Sequence, residues 1–156
     1  MNNYRHKIND QRVPLPLGKI ICVGRNFSEH ISELGNRFPE SPVLFLKPST
    51  SLVEFDGQLK IDSTLGACHF ETELALLIGE ELKDCSTDEA MKAIIVVGLS
   101  LDLTYRDSQN KLKSKGLPWE KSEAFDGSCP TTSFTSSNHF TDLNDIKFKL
   151  FINGED

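Results

Sequence analysis

His69-Phe70-Glu71-Thr72-Glu73-Leu74 runs without a break into Ala75-Leu76-Leu77-Ile78-Gly79. Its period of two places His69, Glu71 and Glu73 on one face of a strand and Phe70, Thr72 and Leu74 on the other. Acidic residues are depleted in such strands, because a carboxylate taken out of water needs a partner or a metal. The next long apolar stretch, Ile94-Ile95-Val96-Val97-Gly98-Leu99-Ser100-Leu101-Asp102-Leu103, predicts a strand buried on both faces, with Asp102 as its one charge. An unpaired carboxylate there would be forced to protonate or would destabilise the fold by several kcal/mol. Two long strands and three carboxylates are therefore the features around which the rest is read.

Working outward, Lys19 to Gly24 predicts a short buried strand closed by a glycine, and Val43 to Leu46 a second one ending at Lys47-Pro48. Leu52 to Ile61 reads as a hairpin turning at Asp56-Gly57, and Lys147 to Ile152 as an alternating strand. Three short helices interrupt the strands. Asn26 to Leu34 has Asn26 or Ser28 as cap and is stopped by Gly35, Asn36 and Pro39; Ser86-Thr87-Asp88-Glu89 is a capping box opening a helix into Ala93; Arg106 to Lys115 is ended by Gly116 and Pro118. The polar segment before Pro16 is expected to hold no regular element, and Thr131 to Asn138 to be a surface loop. After Ile152, Asn153-Gly154 announces a hairpin whose return strand does not follow. The expectation is a β-rich α+β chain, with residues 1–18 as a leader and 19–156 as a single domain.

With 156 residues the chain can bury one core. A net charge of −6 with no cluster of Lys or Arg offers no footprint for a phosphate backbone, so nucleic acid is not an expected partner. No apolar run approaches the roughly 18 residues of a membrane helix, and Met1 to Pro16 lacks the apolar core of a secretory signal, so a soluble, cytoplasmic protein is expected. Cys22, Cys68, Cys85 and Cys129 form no C-x-x-C pair and are read as reduced, mostly buried thiols.

Three oxygen ligands with waters completing an octahedron suit Mg2+ or Mn2+ better than zinc, which favours His and Cys. Taken alone, Glu71 and Glu73 fit a solvated edge strand equally well, and Asp102 the start of a turn. His30 and Glu33, three apart on the first helix, share a face on which the carboxylate could orient the imidazole as a base, or form an ordinary surface pair. Arg25, Lys47, Arg106 and Gln109 follow strand ends or open loops, where anion contacts arise. A zinc site through Cys68, His69 and Cys85 is disfavoured by its spacing.

Six stretches in order, Cys22-Val23-Gly24-Arg25-Asn26-Phe27, Pro42-Val43-Leu44-Phe45-Leu46-Lys47-Pro48, His69 to Leu74, Leu101-Asp102-Leu103-Thr104-Tyr105-Arg106-Asp107, Lys115-Gly116-Leu117-Pro118-Trp119 and Ser128-Cys129-Pro130, resemble the fumarylacetoacetate hydrolase family. The likeness is to its small acylpyruvate hydrolases and oxaloacetate decarboxylases or tautomerases. It implies a mixed β-sheet roll, usually a homodimer, with Mg2+ (or Mn2+) on Glu71, Glu73 and Asp102. It also implies a His30–Glu33 dyad on a lid for water or proton transfer and a contact from Gln109 to the substrate's carboxylate end; Arg25, Lys47 and Arg106 are expected to bind substrate beside it from their places at strand ends and loops. The reaction implied is metal-dependent stabilisation of the enolate of a small β-keto acid, leading to hydrolysis, decarboxylation or tautomerisation. The alternative is a non-catalytic, metal-binding remnant.

Two departures from the family bear on that. Where relatives read Trp, three residues, then a lysine facing substrate, Trp119 is followed by Glu120-Lys121-Ser122-Glu123, so an anion stands for a cation. Lys121 takes over the lysine's role if the segment is extended; otherwise Glu123 is protonated or turned away. The family's C-terminal strands, with a Gly-Thr-Pro loop that walls the pocket, are absent after Asp156, so either this is part of a longer chain or the wall comes from elsewhere.

Overall fold

The structure, a computed structural model, describes residues 4–24, 26 and 41–154. Its strands are β1 (Lys7–Ile8), β2 (Gln11–Arg12), β3 (Ile20–Gly24), β4 (Val43–Lys47), β5 (Leu52–Glu54), β6 (Cys68–Ile78), β7 (Ile94–Tyr105), β8 (Cys129–Thr131) and β9 (Thr135–Ser136). Three helices are described, α1 (Thr87–Lys92), α2 (Arg106–Ser114) and α3 (Glu120–Glu123). The expected mixed β architecture with few helices is what forms.

The antiparallel pair β6–β7 is the spine of a five-stranded sheet ordered β5-β8-β7-β6, with β9 added to β7. β6 and β7 stay in register from Cys68↔Tyr105 to Leu77↔Val96, with an irregularity before Ile78. β7 supplies much of the core through Ile94, Val96, Val97, Leu101, Leu103 and Tyr105. β3 and β4 form a separate antiparallel ribbon. The ribbon's outer face leaves Ile21, Val23, Leu44 and Leu46 exposed, while Cys22 and Lys47 are buried.

The helices end as their sequences predict. Ser86 Oγ accepts from Glu89 N while Glu89 Oε2 accepts from Ser86 N, a complete capping box. α2 closes with Leu117 N–H on Leu112 O and Gly116 N–H on Lys113 O, and Gly116 takes the positive φ of 64° that this cap requires.

Four expectations are corrected. Leu52 to Ile61 is no hairpin: β5 pairs in parallel with β8, and Gln58 N–H turns back onto Asp56 Oδ1 instead of opening a return strand. Residues 131–138 are no surface loop, because Phe134 is buried and β9 pairs with β7. Gly98 makes room for that ring; a Cβ there would lie 2.9 Å from Phe134 Cδ1. The leader is not without structure: Asn9 and Asp10, both at positive φ, turn β1 onto β2, and Tyr4 packs with Leu52 and Cys129. Residues 147–151 form no strand, although Asn153 and Gly154 adopt the expected turn, because a strand exists only with a ladder partner.

All four cysteines are free thiols, as read, but only Cys22 and Cys129 are buried. No helix among the described residues is long and apolar enough to cross a membrane.

Gly98→Ala is expected to lower stability by about 1 to 3 kcal/mol through overpacking against Phe134, read as a shift in urea midpoint. If Gly98→Ala/Phe134→Leu recovers none of the loss, the close approach is not its cause.

Candidate metal and anion site

Glu71 faces Asp102 directly across the β6–β7 ladder, and Glu73 faces Ser100, which sets Glu73 diagonal to Asp102 on the same side of the sheet. The period of two read from the sequence thus brings all three carboxylates to one face. Asp102 is 8% exposed. Its counterion is Lys47, the last residue of β4, which is 1% exposed and holds Nζ 2.8 Å from Asp102 Oδ1. At that distance the ammonium is the partner that satisfies Oδ1. Lys47 Nζ also donates to the carbonyls of Leu103 and Glu123 and, at 3.2 Å, to Ser128 Oγ.

A second cation serves Glu71. Arg106, the first residue of α2, places Nη2 3.0 Å from Glu71 Oε1 and donates from Nη1 to Gln109 Oε1 at 2.9 Å. The i, i+3 spacing on the helix makes that second contact possible. Gln109, 5% exposed, donates from Nε2 to Glu123 Oε1. Glu123 is 4% exposed, and its other oxygen, Oε2, has no partner.

Four acids therefore share the two bases that pair with them here, Lys47 and Arg106, and burial acts on top of that shortage. Burial, reinforced by Asp102 and Glu71 and opposed by Lys47, pushes the Glu73 carboxyl up to about 7. Burial also raises Asp102 against the pull of Lys47, and raises Glu123 against the hydrogen bond from Gln109. A set of oxygen donors with surplus negative charge suits a hard divalent cation, and the carboxyl of Glu73, which has neither Lys47 nor Arg106 as its ion-pair partner, is the donor such an ion would relieve. Among the described residues no three His, Cys, Asp or Glu side chains are already gathered about one point. The physical reason for the carboxylates is that Lys47 and Arg106 draw Asp102 and Glu71 to themselves. Cys68, His69 and Cys85 form no such group either, and Cys85 is exposed.

The expected residues fare differently. Glu71, Glu73, Asp102, Lys47, Arg106, Gln109 and Glu123 come together. Lys47, expected to meet substrate, has no exposed side-chain surface and is spent on protein oxygens. Lys121 does not stand in for a substrate lysine by the route expected, because residues 120–123 are helical: two residues apart on a helix point to different faces, so Lys121 is exposed while Glu123 is buried. Arg25, His30 and Glu33 lie outside the described residues. Ser128, fully buried against Lys47, was not anticipated; a lone serine ahead of a short strand carries no periodic signal.

Two outcomes follow for the metal-free protein. Lys47→Met leaves Asp102 buried without its counterion and should lower stability by about 3 to 5 kcal/mol at neutral pH, measured by urea unfolding. Because the folded state holds the Glu73 proton more tightly than the unfolded chain, stability falls as pH rises from about 4.5 to about 7, by on the order of 3 kcal/mol. Glu73→Gln should therefore gain on the parent across that window, in EDTA. Urea midpoints that stay parallel from pH 5 to pH 8 would remove Glu73 from the cluster.

Comparison with known proteins matches this architecture. Residues 19–156 fit the sequence profile described as fumarylacetoacetate (FAA) hydrolase C-terminal. The chain is 46% identical over 141 residues to an oxaloacetate tautomerase of Escherichia coli, covering 90% of this chain and 64% of that one. A fumarylacetoacetate isomerase/hydrolase-type protein from Oleispira antarctica superposes with a TM-score of 0.85 at 44% identity, covering 91% of this chain and 63% of that one. Fumarylpyruvate hydrolase from Pseudomonas aeruginosa, solved with Mn2+ and pyruvate, does so with a TM-score of 0.78 at 30% identity, covering 86% and 60%. The chain thus spans less than two thirds of the length of these relatives. On the profile, the identities and the shared fold, it belongs to the fumarylacetoacetate hydrolase family.

Proposed function

We propose that the chain stabilises the enolate of a small β-keto acid, oxaloacetate or an acylpyruvate, with Mg2+ or Mn2+ held by Glu71, Glu73 and Asp102. The observation that carries this is the register that sets Glu71 against Asp102, with Glu73 diagonal to them and pushed up to about 7 by burial and by its two neighbours. When bound, the cation supplies Lewis-acid stabilisation of the oxygen on which charge develops. Arg106 orients the substrate's carboxylate end; Gln109, buried and bonded to Arg106 and Glu123, supports Arg106 rather than meeting substrate, and Lys47 fixes Asp102. His30 and Glu33 carry the proton or the water. The identity to an oxaloacetate tautomerase and the Mn2+ and pyruvate bound by the fumarylpyruvate hydrolase support this choice of chemistry.

Among the reactions open to such a site, tautomerisation demands least, since it needs an enolate and a proton transfer but no aimed water. The same proposal takes 19–156 as the catalytic domain of a homodimer. A second reading, metal binding without turnover, draws on the buried Glu123 carboxyl, which occupies Gln109 and brings negative charge to a site meant for an anionic substrate.

Calorimetric titration of oxalate, a planar mimic of the pyruvate enolate, tests the proposal. Binding should require Mg2+, vanish in EDTA, and weaken at least about tenfold in Asp102→Ala, the loss expected when a metal ligand or its support is removed. Mg2+ or Mn2+ that binds without oxalate would favour the second reading, and absence of binding of both metal and oxalate would refute both.

A further inference from the structure

Glu123, Gln109, Arg106 and Glu71 form one continuous chain of contacts. Glu123 Oε1 accepts from Gln109 Nε2, Gln109 Oε1 accepts from Arg106 Nη1, and Arg106 Nη2 pairs with Glu71 Oε1. The amide in the middle is polar in one direction only. Because Glu123 presents an acceptor, Gln109 must turn its NH2 group towards it and its carbonyl towards Arg106. Gln109 and Glu123 are sealed from water, 5% and 4% exposed, so neither can exchange their shared bond for one to solvent without leaving a buried group unsatisfied. Arg106 and Glu71 are only partly covered, and by themselves would make an ion pair of modest worth.

We infer that Glu123 is a positioning residue for the metal site: by fixing the amide of Gln109 it holds Arg106 in place, and Arg106 fixes the orientation of the Glu71 carboxylate. The inference rests on Glu71 being a metal ligand, as proposed above. It gives the departure at position 123 a use. A lysine there could not accept from the Gln109 NH2 group, so this chain of contacts needs an acceptor at position 123. In this chain the buried acid therefore acts on the divalent cation through three side chains, without touching any of the three carboxylates on β6 and β7.

Two substitutions separate this relay from a simple effect of charge. Glu123→Gln and Glu123→Leu remove the same negative charge, but only the glutamine keeps an oxygen able to accept from Gln109. Mn2+ affinity, read by calorimetry on the full chain without substrate, should stay within about threefold of the parent in Glu123→Gln and fall by on the order of tenfold or more in Glu123→Leu. Gln109→Met should weaken Mn2+ similarly, and the pair Gln109→Met/Glu123→Leu no further, because the two belong to one path. The side-chain amide protons of Gln109, observed by NMR, should be slowed in exchange in the parent and in Glu123→Gln alone. Equal affinities for the glutamine and leucine variants, or additive losses in the double variant, would overturn the relay while leaving the metal site standing. A parent protein that binds no Mn2+ would remove the metal site and the relay together.

Discussion

Everything else in this molecule is arranged around an ammonium that neutralises one carboxylate deep in a strand. Asp102 stands where β7 is buried on both faces, and the side chain that answers it comes from the end of a different sheet. Lys47 does more than balance the charge. Its remaining hydrogen bonds run to the β7 backbone at Leu103, to the end of α3 at Glu123 and to Ser128 at the approach to β8. The β3–β4 ribbon, the main sheet and the α3 turn are thus held about one nitrogen. Desolvating such a pair offsets much of its attraction, so its contribution is better sought in fixing how the layers meet than in net stability.

The electrostatics that follow are those of an acidic cluster short of cations. Lys47 and Arg106 each take one carboxylate, leaving Glu73 to retain its proton into the neutral range and Glu123 to keep an oxygen without a donor. Neutral hydrogen-bond donors would relieve one oxygen at a time; a doubly charged ion relieves the whole face.

Much of this was legible beforehand, and the parts that were not share a cause. The lone charge of Asp102, the alternation through Glu71 and Glu73, the capping box at Ser86 and the Gly116 stop are local features, and each holds. The Leu52 segment was misread because periodicity reports which face a strand buries but never which strand lies beside it; its partner is β8, more than seventy residues on. Phe134 hid inside a polar run because one aromatic residue among threonines and serines has no period. Lys121 and Glu123 were assigned to one face on the assumption of extended backbone, and a single helical turn separated them. Lys47 was singled out by its place at a strand end, where anion contacts arise, but that place says nothing of its burial.

The order in which these pieces can assemble carries a consequence for the folding route. β6 and β7 are consecutive strands joined by residues 79–93, which include α1, whereas Lys47 must be recruited from fifty-five residues before Asp102, and α3 and β8 from beyond it. An Asp102 carboxyl enclosed by β6 and β7 without Lys47 would be more stable with a proton than without one, so the same residue that stands beside an ammonium in the finished fold favours acid in any partly assembled form.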